Sequence, residues 1–186
     1  MSSFEVAVQL PLKHEGGYVD NPADSGGATN CGISLRFLKS LPLENLRKYG
    51  IFINPDMLSP DDIKNLTLDQ VKLIFKGEFW DAANFGDITY PYICSYIFDM
   101  CINHGLAQGI KIAQRATWVI DYLDRSRVVD DGVLGDKTIH MINNINPSLY
   151  EKVLMSERAG FMRLIAAEHG KDREFLHGWL NRCYRV

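Results

Sequence analysis

Residues 14–34 of this chain read HEGGYVDNPADSGGATNCGIS, and they concentrate the residue types that acid–base chemistry needs. Glu15 falls at an expected helix end. Asp24 follows nine residues later in loop composition, and Thr29 five beyond that. Gly26 and Gly27 let the backbone reverse between Asp24 and Thr29. Two carboxyls and a hydroxyl in this arrangement suit hydrolysis of a glycosidic bond. One carboxylic acid must stay protonated to donate to the leaving oxygen. A second polar group must hold or activate water on the opposite ring face, or attack as a nucleophile. A rigid helix end against an apolar wall suits the acid, because burial keeps a carboxyl protonated. A solvent-facing loop suits the carboxylate that must remain ionised. Taken singly, the same residues also read as a helix terminus followed by ordinary turn formers. A glutamate at a helix C-terminus opposes the macrodipole at a cost of roughly 0.3–1 kcal/mol. That placement calls for compensation, and function is one candidate.

The elements that must position these groups are mostly helical. Ser3 can cap a first helix with Phe4, Ala7, Val8 and Leu12 on its apolar side. Pro11 should kink it, and Gly16 and Gly17 stop it after it delivers His14 and Glu15. Residues 16–32 hold five of the chain's 15 glycines, which predicts an irregular hairpin or long loop. A helix is expected from Ile33 toward Pro42. Ser59-Pro60-Asp61-Asp62 and the Thr67…Gln70 capping box start two more, the second running to about Ala83. From Pro91, Ile93, Ile97, Met100 and His104 form one stripe of a wide apolar face, which suits a central buried helix ended by Gly105. Ile110, Ala113, Thr117 and Ile120 face inward on the next. Residues 124–136 read as a polar loop. Asn146-Pro147 opens a long helix to about His169, and a short last helix carries Phe175, Trp179 and Leu180. No alternating strand pattern, internal repeat or low-complexity linker is present. The expected fold is mainly α, with at most a small two- or three-stranded element in residues 16–34 and a weak seam near residues 87–92.

The bulk numbers bound the rest. With 186 residues, 46% of them hydrophobic, one substantial core can be buried. A net charge of −3 gives no broad attraction to nucleic acid. Cys31, Cys94, Cys101 and Cys183 show no paired metal-ligand spacing. Cys94 and Cys101 lie roughly 10 Å apart along a helix, too far to bridge, so reduced structural thiols are expected. No metal or organic cofactor is implied. The N-terminus lacks the basic region of a signal peptide, and no apolar run approaches a membrane span. Synthesis in the cytoplasm is therefore expected.

Residues 15–33 meet every fixed position of a pattern close to E-G-G-Y-x-x-x-P-x-D-x-G-G-x-T-x-x-G-I. This segment resembles glycoside hydrolase family 108, the lysozyme-like N-acetylmuramidases. Four later segments are similar to that family's motifs. They are Glu78-Phe79-Trp80-Asp81; Asp99 with Asn103-His104-Gly105; Asp131-Gly132 with Gly135 and Thr138; and Gly178-Trp179 with Arg182. The resemblance implies a lysozyme-like helical fold whose glycine-rich loop or hairpin carries part of the active site. It implies a catalytic region over residues 1–92 and a helical region over 93–186 resembling a peptidoglycan-binding domain, packed with the first into one globule. The implied activity is cleavage of the β-1,4 bond between N-acetylmuramic acid and N-acetylglucosamine, with Glu15 as the acid. Asp24 and Thr29 resemble the water-holding pair of phage-type lysozymes, at a spacing one residue shorter than expected there. The family includes phage-type endolysins and muramidases that assist protein export. The expected partners are accordingly peptidoglycan strands, with a holin or export machinery for delivery. A monomer acting in the periplasm or wall is expected.

Some residues carry two readings. Asp99 and Asn103 share a helix face. Either Asn103 or Asp99 lines a sugar cleft, or the two form a buried polar pair supporting the glycine loop. Tyr18 stacks on a sugar ring or simply packs. Trp80, Trp118 and Trp179 read as core. His14 and Glu15 project about 100° apart and would not share a site wall. Asp130-Asp131-Gly132 lacks the later ligands of a calcium loop and reads as a turn. Two rivals to a hydrolase remain: a lytic transglycosylase using the same acid, and a non-catalytic wall-binding or export-helper module.

Overall fold

The computed structural model describes residues 3–14, 17–20, 27–118, 128–168 and 170–184. Glu15 and Asp24 lie outside the described residues, as does Ile120. The first helix is split into α1 (Ser3–Ala7) and α2 (Gln9–His14). Proline 11 explains the split: it has no N–H to offer the carbonyl of Ala7, and its ring crowds that carbonyl. The flanking bonds from Val8 N to Phe4 O and from Leu12 N to Val8 O survive at 2.9 and 3.2 Å, so the kink stays small.

The glycine-rich stretch yields a short antiparallel hairpin, β1 (Thr29–Asn30) with β2 (Ile33–Ser34), in the register Thr29 opposite Ser34 and Asn30 opposite Ile33. Its turn holds Cys31 and Gly32 at φ 48° and 78°, the left-handed pair that a tight two-residue hairpin demands. Val19 bridges Thr29 from the other side. Asn30 is buried and donates to the carbonyl of Ile63 at 3.0 Å, tying the hairpin to the helix behind it. Ser34 ends β2 and caps α3 (Leu35–Ser40) by accepting from Phe37 N at 3.1 Å. The helix therefore starts two residues later than Ile33.

Next come α4 (Leu43–Lys48), α5 (Pro60–Lys64) and α6 (Leu68–Phe75), the last two opened by the Ser59–Asp62 and Thr67–Gln70 capping boxes. The expected continuation to Ala83 instead widens into a π-helical turn, Lys76–Trp80, closed by Asp81 N donating to Lys76 O at 2.8 Å. The central helix α7 (Pro91–His104) is buried continuously from Ile93 to Ile102 and stops at Gly105, φ 84°. It is followed by α8 (Leu106–Trp118), α9 (Asp136–Asn144), α10 (Pro147–Glu168) and α11 (Leu176–Tyr184). Helix α9 replaces what read as the end of a polar loop and an uncommitted stretch. Trp118 is 42% exposed rather than in the core, its indole N–H donating to Val128 O at 3.0 Å.

One hydrophobic core runs from Phe4 through α7 to Leu154 on α10. Phe4 and Phe85 each pack against both Trp80 and Phe98, which also meet each other, in an aromatic knot with centroid separations of 5.2–6.1 Å. Such pairs add about 0.5–1.5 kcal/mol each beyond area burial, and these lock α1 and the π turn onto α7. Across residues 87–92, Asn143 of α9 clamps the chain, accepting from Thr89 N and donating to Asp87 O, both at 2.8 Å.

Candidate active site

A cleft of about 730 Å³ opens where the hairpin, α3 and the π turn face the end of α7 and the side of α10. Gly32, Ile33 and Ser34 bring the hairpin to its wall. Asn103, His104 and Gly105 bring the end of α7, and Phe161 and Ile165 bring α10. Each contribution follows from local structure. The left-handed turn at Cys31-Gly32 aims the hairpin. The stop at Gly105 exposes Asn103 at the end of an otherwise buried helix.

Of the expected catalytic residues, Thr29 is described. It sits in β1, half-buried, and its hydroxyl donates to Gly27 O at 3.3 Å. His14, the last residue described before the glycine-rich segment, places Nδ1 3.3 Å from Asp99 Oδ1. Asp99 is wholly buried, as is Arg158 of α10, whose Nη1 lies 2.8 Å from Asp99 Oδ2. Arg182 of α11 donates from Nη2 to Asp99 Oδ1, also at 2.8 Å. One carboxylate thus gathers α2, α7, α10 and α11. Burial alone would push the Asp99 carboxyl up. The hydrogen bond from His14 and the charges of Arg158 and Arg182 outweigh it and hold the group well below the usual carboxylate range.

This geometry tells Asp99 and Asn103 apart. Asp99 is wholly buried and is not among the described residues that line the cleft. Asn103 does line the cleft, and Arg158 joins the two residues, its Nη2 donating to Asn103 Oδ1 at 3.4 Å. Tyr18 packs against the core, its hydroxyl donating to Asp20 at 3.3 Å and Lys64 5.7 Å above its ring. It is not among the described residues that line the cleft. His104 faces the cleft with its ring edge-on to Phe161. Burial, then the charge of Arg158, push its imidazole down to about 3, so it is neutral near pH 7.

Sequence reasoning missed Arg158 and Arg182 as parts of the site, and Glu78 as a wall of the cleft. Arg182 stood within a motif; Arg158 carried no signal beyond its place on a helix with buried neighbours.

The chain was compared with known proteins. The family model described as Glycosyl hydrolase 108 matches residues 8–105, just over half the chain. Among solved structures, one described as the structure of Brucella abortus SagA matches with a TM-score of 0.72 at 26% identity. The match covers 98% of this chain and 90% of that one. No curated protein matches.

Proposed function

The chain belongs to glycosyl hydrolase family 108, and from that premise we propose that it is a muramidase, cleaving the β-1,4 bond between N-acetylmuramic acid and N-acetylglucosamine in peptidoglycan. One observation carries the reading. The glycine-rich segment of residues 15–33 lies inside the family match, and its described half folds into a hairpin that walls a cleft together with Asn103. A cleft of about 730 Å³ has the capacity for several sugar-sized groups.

In the proposed mechanism Glu15 protonates the leaving oxygen. Asp24, assisted by the Thr29 hydroxyl, orients the attacking water. A carboxylate in that role is worth roughly 10²–10⁴-fold in rate. Residues 93–186 supply glycan-binding surface. The substrate lies outside the inner membrane, so a holin or export machinery delivers the enzyme as an endolysin or a secretion-assisting wall hydrolase.

Mass spectrometry of digested peptidoglycan tests this reading. Wild-type protein should release fragments ending in reducing N-acetylmuramic acid, and folded Glu15→Gln should release none. Anhydro-sugar ends would make the enzyme a transglycosylase, and binding without any product would make it a wall-binding module. Full activity in Glu15→Gln would remove the assigned acid.

A further inference from the structure

The cleft wall contains a carboxylate outside the glycine-rich segment, Glu78. Its position is built with care. After α6 the helix widens into the π turn, and such single-turn bulges recur at functional sites because they re-aim the residues that follow. Here Phe79 and Trp80 turn into the core, while Glu78 stays half-buried at the cleft.

Two donors converge on one of its oxygens. The hydroxyl of Tyr49 donates to Glu78 Oε1 at 2.6 Å, and Asn45 Nδ2 donates to the same atom at 2.9 Å. Burial, then the hydrogen bond to Glu78, push the Tyr49 phenol far above its ordinary range, so it remains a donor throughout the working pH range. Gly77 makes the approach possible: a Cβ there would run into the Tyr49 hydroxyl. The second oxygen, Oε2, has no hydrogen-bond partner among the described residues and is not sealed from solvent. The result is a fixed carboxylate with one oxygen saturated and the other held as an open acceptor.

The surroundings narrow what it accepts from. Phe37 and Phe161, both partly exposed, line the same cleft, with the buried Phe75 and Phe79 behind them and the Phe37 and Phe79 rings 5.6 Å apart. A pyranose ring presents an apolar C–H face and a rim of hydroxyl and acetamido donors. Aromatic surface takes the face, and a planar carboxylate takes the rim. Arg36 on the same cleft disfavours a cationic ligand.

We propose that Glu78 is a substrate-binding residue, accepting a hydrogen bond from a hydroxyl or acetamido N–H of a sugar in the cleft, with Tyr49, Asn45 and Gly77 as its positioning residues. This inference rests on the chain being a glycan hydrolase. A charge-assisted hydrogen bond of this kind is worth about 10-fold or more in binding. The glutamine isostere turns the open acceptor into an amide donor that an acetamido N–H cannot use.

The test measures kcat and KM on peptide-free N-acetylglucosamine–N-acetylmuramic acid strands, scored by new reducing ends. Glu78→Gln should raise KM about 10-fold with kcat within about threefold. Tyr49→Phe, which frees the carboxylate without removing it, should raise KM about threefold. Tyr49→Phe also stands alone as the test where Glu78→Gln fails to fold. Unchanged KM in a folded variant overturns the proposal. A loss confined to kcat also overturns it, because Glu78 would then act in the chemistry. A KM effect seen only on peptide-bearing strands overturns the sugar assignment in favour of the stem peptide. If wild-type protein cleaves nothing, the hydrolase reading fails separately. Calorimetric titration with the same strands then decides whether Glu78→Gln weakens binding.

Discussion

Asp99→Asn is the perturbation whose size the structure fixes best. The wild-type carboxylate is fully buried and meets two guanidinium groups at 2.8 Å and His14 at 3.3 Å. Asparagine keeps the shape and removes the charge. Arg158, at 0% exposure, is then left with its cation uncompensated in the interior, and one face of the new amide presents a donor to a donor. Arg182, at 17%, can turn toward water, so most of the penalty falls on Arg158. Breaking a buried pair from one side costs about 3–5 kcal/mol. For a chain of this size that corresponds to a fall in Tm of roughly 6–20 °C.

Urea denaturation at pH 7, with unchanged m-value as the check on two-state behaviour, reads the difference directly. The pH arm has a definite sign. Asp99's folded value is depressed, so its contribution is complete above the unfolded value of about 3.9 and is lost as pH falls below that. The gap between wild type and Asp99→Asn should therefore be constant from pH 5 to 8 and close on acidification below about pH 4. Adding Arg158→Met to Asp99→Asn should restore part of the loss, because no buried charge then stands unpaired. A single-variant loss under about 1 kcal/mol at pH 7, or a gap that widens in acid, would refute the account of Asp99 as the ionic centre of the fold.

His104 should stay neutral down to about pH 4, because burial and then Arg158 push its imidazole down to about 3. Its ring resonances in a two-dimensional NMR titration should not move between pH 8 and 4. Since the unfolded chain takes up that proton near pH 6.5, His104 withdraws stability as pH falls from there toward 3. A midpoint above pH 5 would contradict this. Gly109→Ala should destabilise by about 1–3 kcal/mol in urea titrations. A Cβ there would lie 2.6 Å from the backbone N and Sγ of Cys101, forcing α8 away from α7. A neutral result would mean that the two helices can part without loss.

Much of the helical layout was legible because short-range chemistry writes it. Ser59-Pro60, Thr67…Gln70 and Asn146-Pro147 start helices by satisfying free N–H groups within three residues. Gly105 ends α7 through a backbone angle other residues avoid. What escaped depended on partners distant in the chain. Helix α9 begins at Gly135 with no side-chain cap, so nothing local announces it. The π turn is a slip in hydrogen-bond register, decided by packing of Phe79 and Trp80 rather than by composition. Glu78 stood in a recognisable motif, but its meaning depends on Asn45 and Tyr49, 33 and 29 residues upstream. Arg158 carries no local signal, because the partner that explains it, Asp99, lies 59 residues away. Trp118 misled in the other direction: a large aromatic at helical spacing reads as core, yet its indole finds a carbonyl at the rim.

The family match ends at residue 105, where α7 stops, yet the structure does not divide there. Asp99 lies inside the match, and both guanidinium groups that neutralise it come from beyond, on α10 and α11. Tyr96, also inside, donates to Cys183 O at 2.7 Å while the Arg158 guanidinium lies 5.2 Å over its ring. These bonds pin the last helix to the same stretch of α7 that holds His14, one peptide from Glu15. The cleft repeats the pattern, with Phe161 and Ile165 of α10 facing the hairpin and Glu78. The helical second half therefore supplies the charge that lets a buried aspartate exist, and that aspartate in turn holds His14, at the end of α2, against α7.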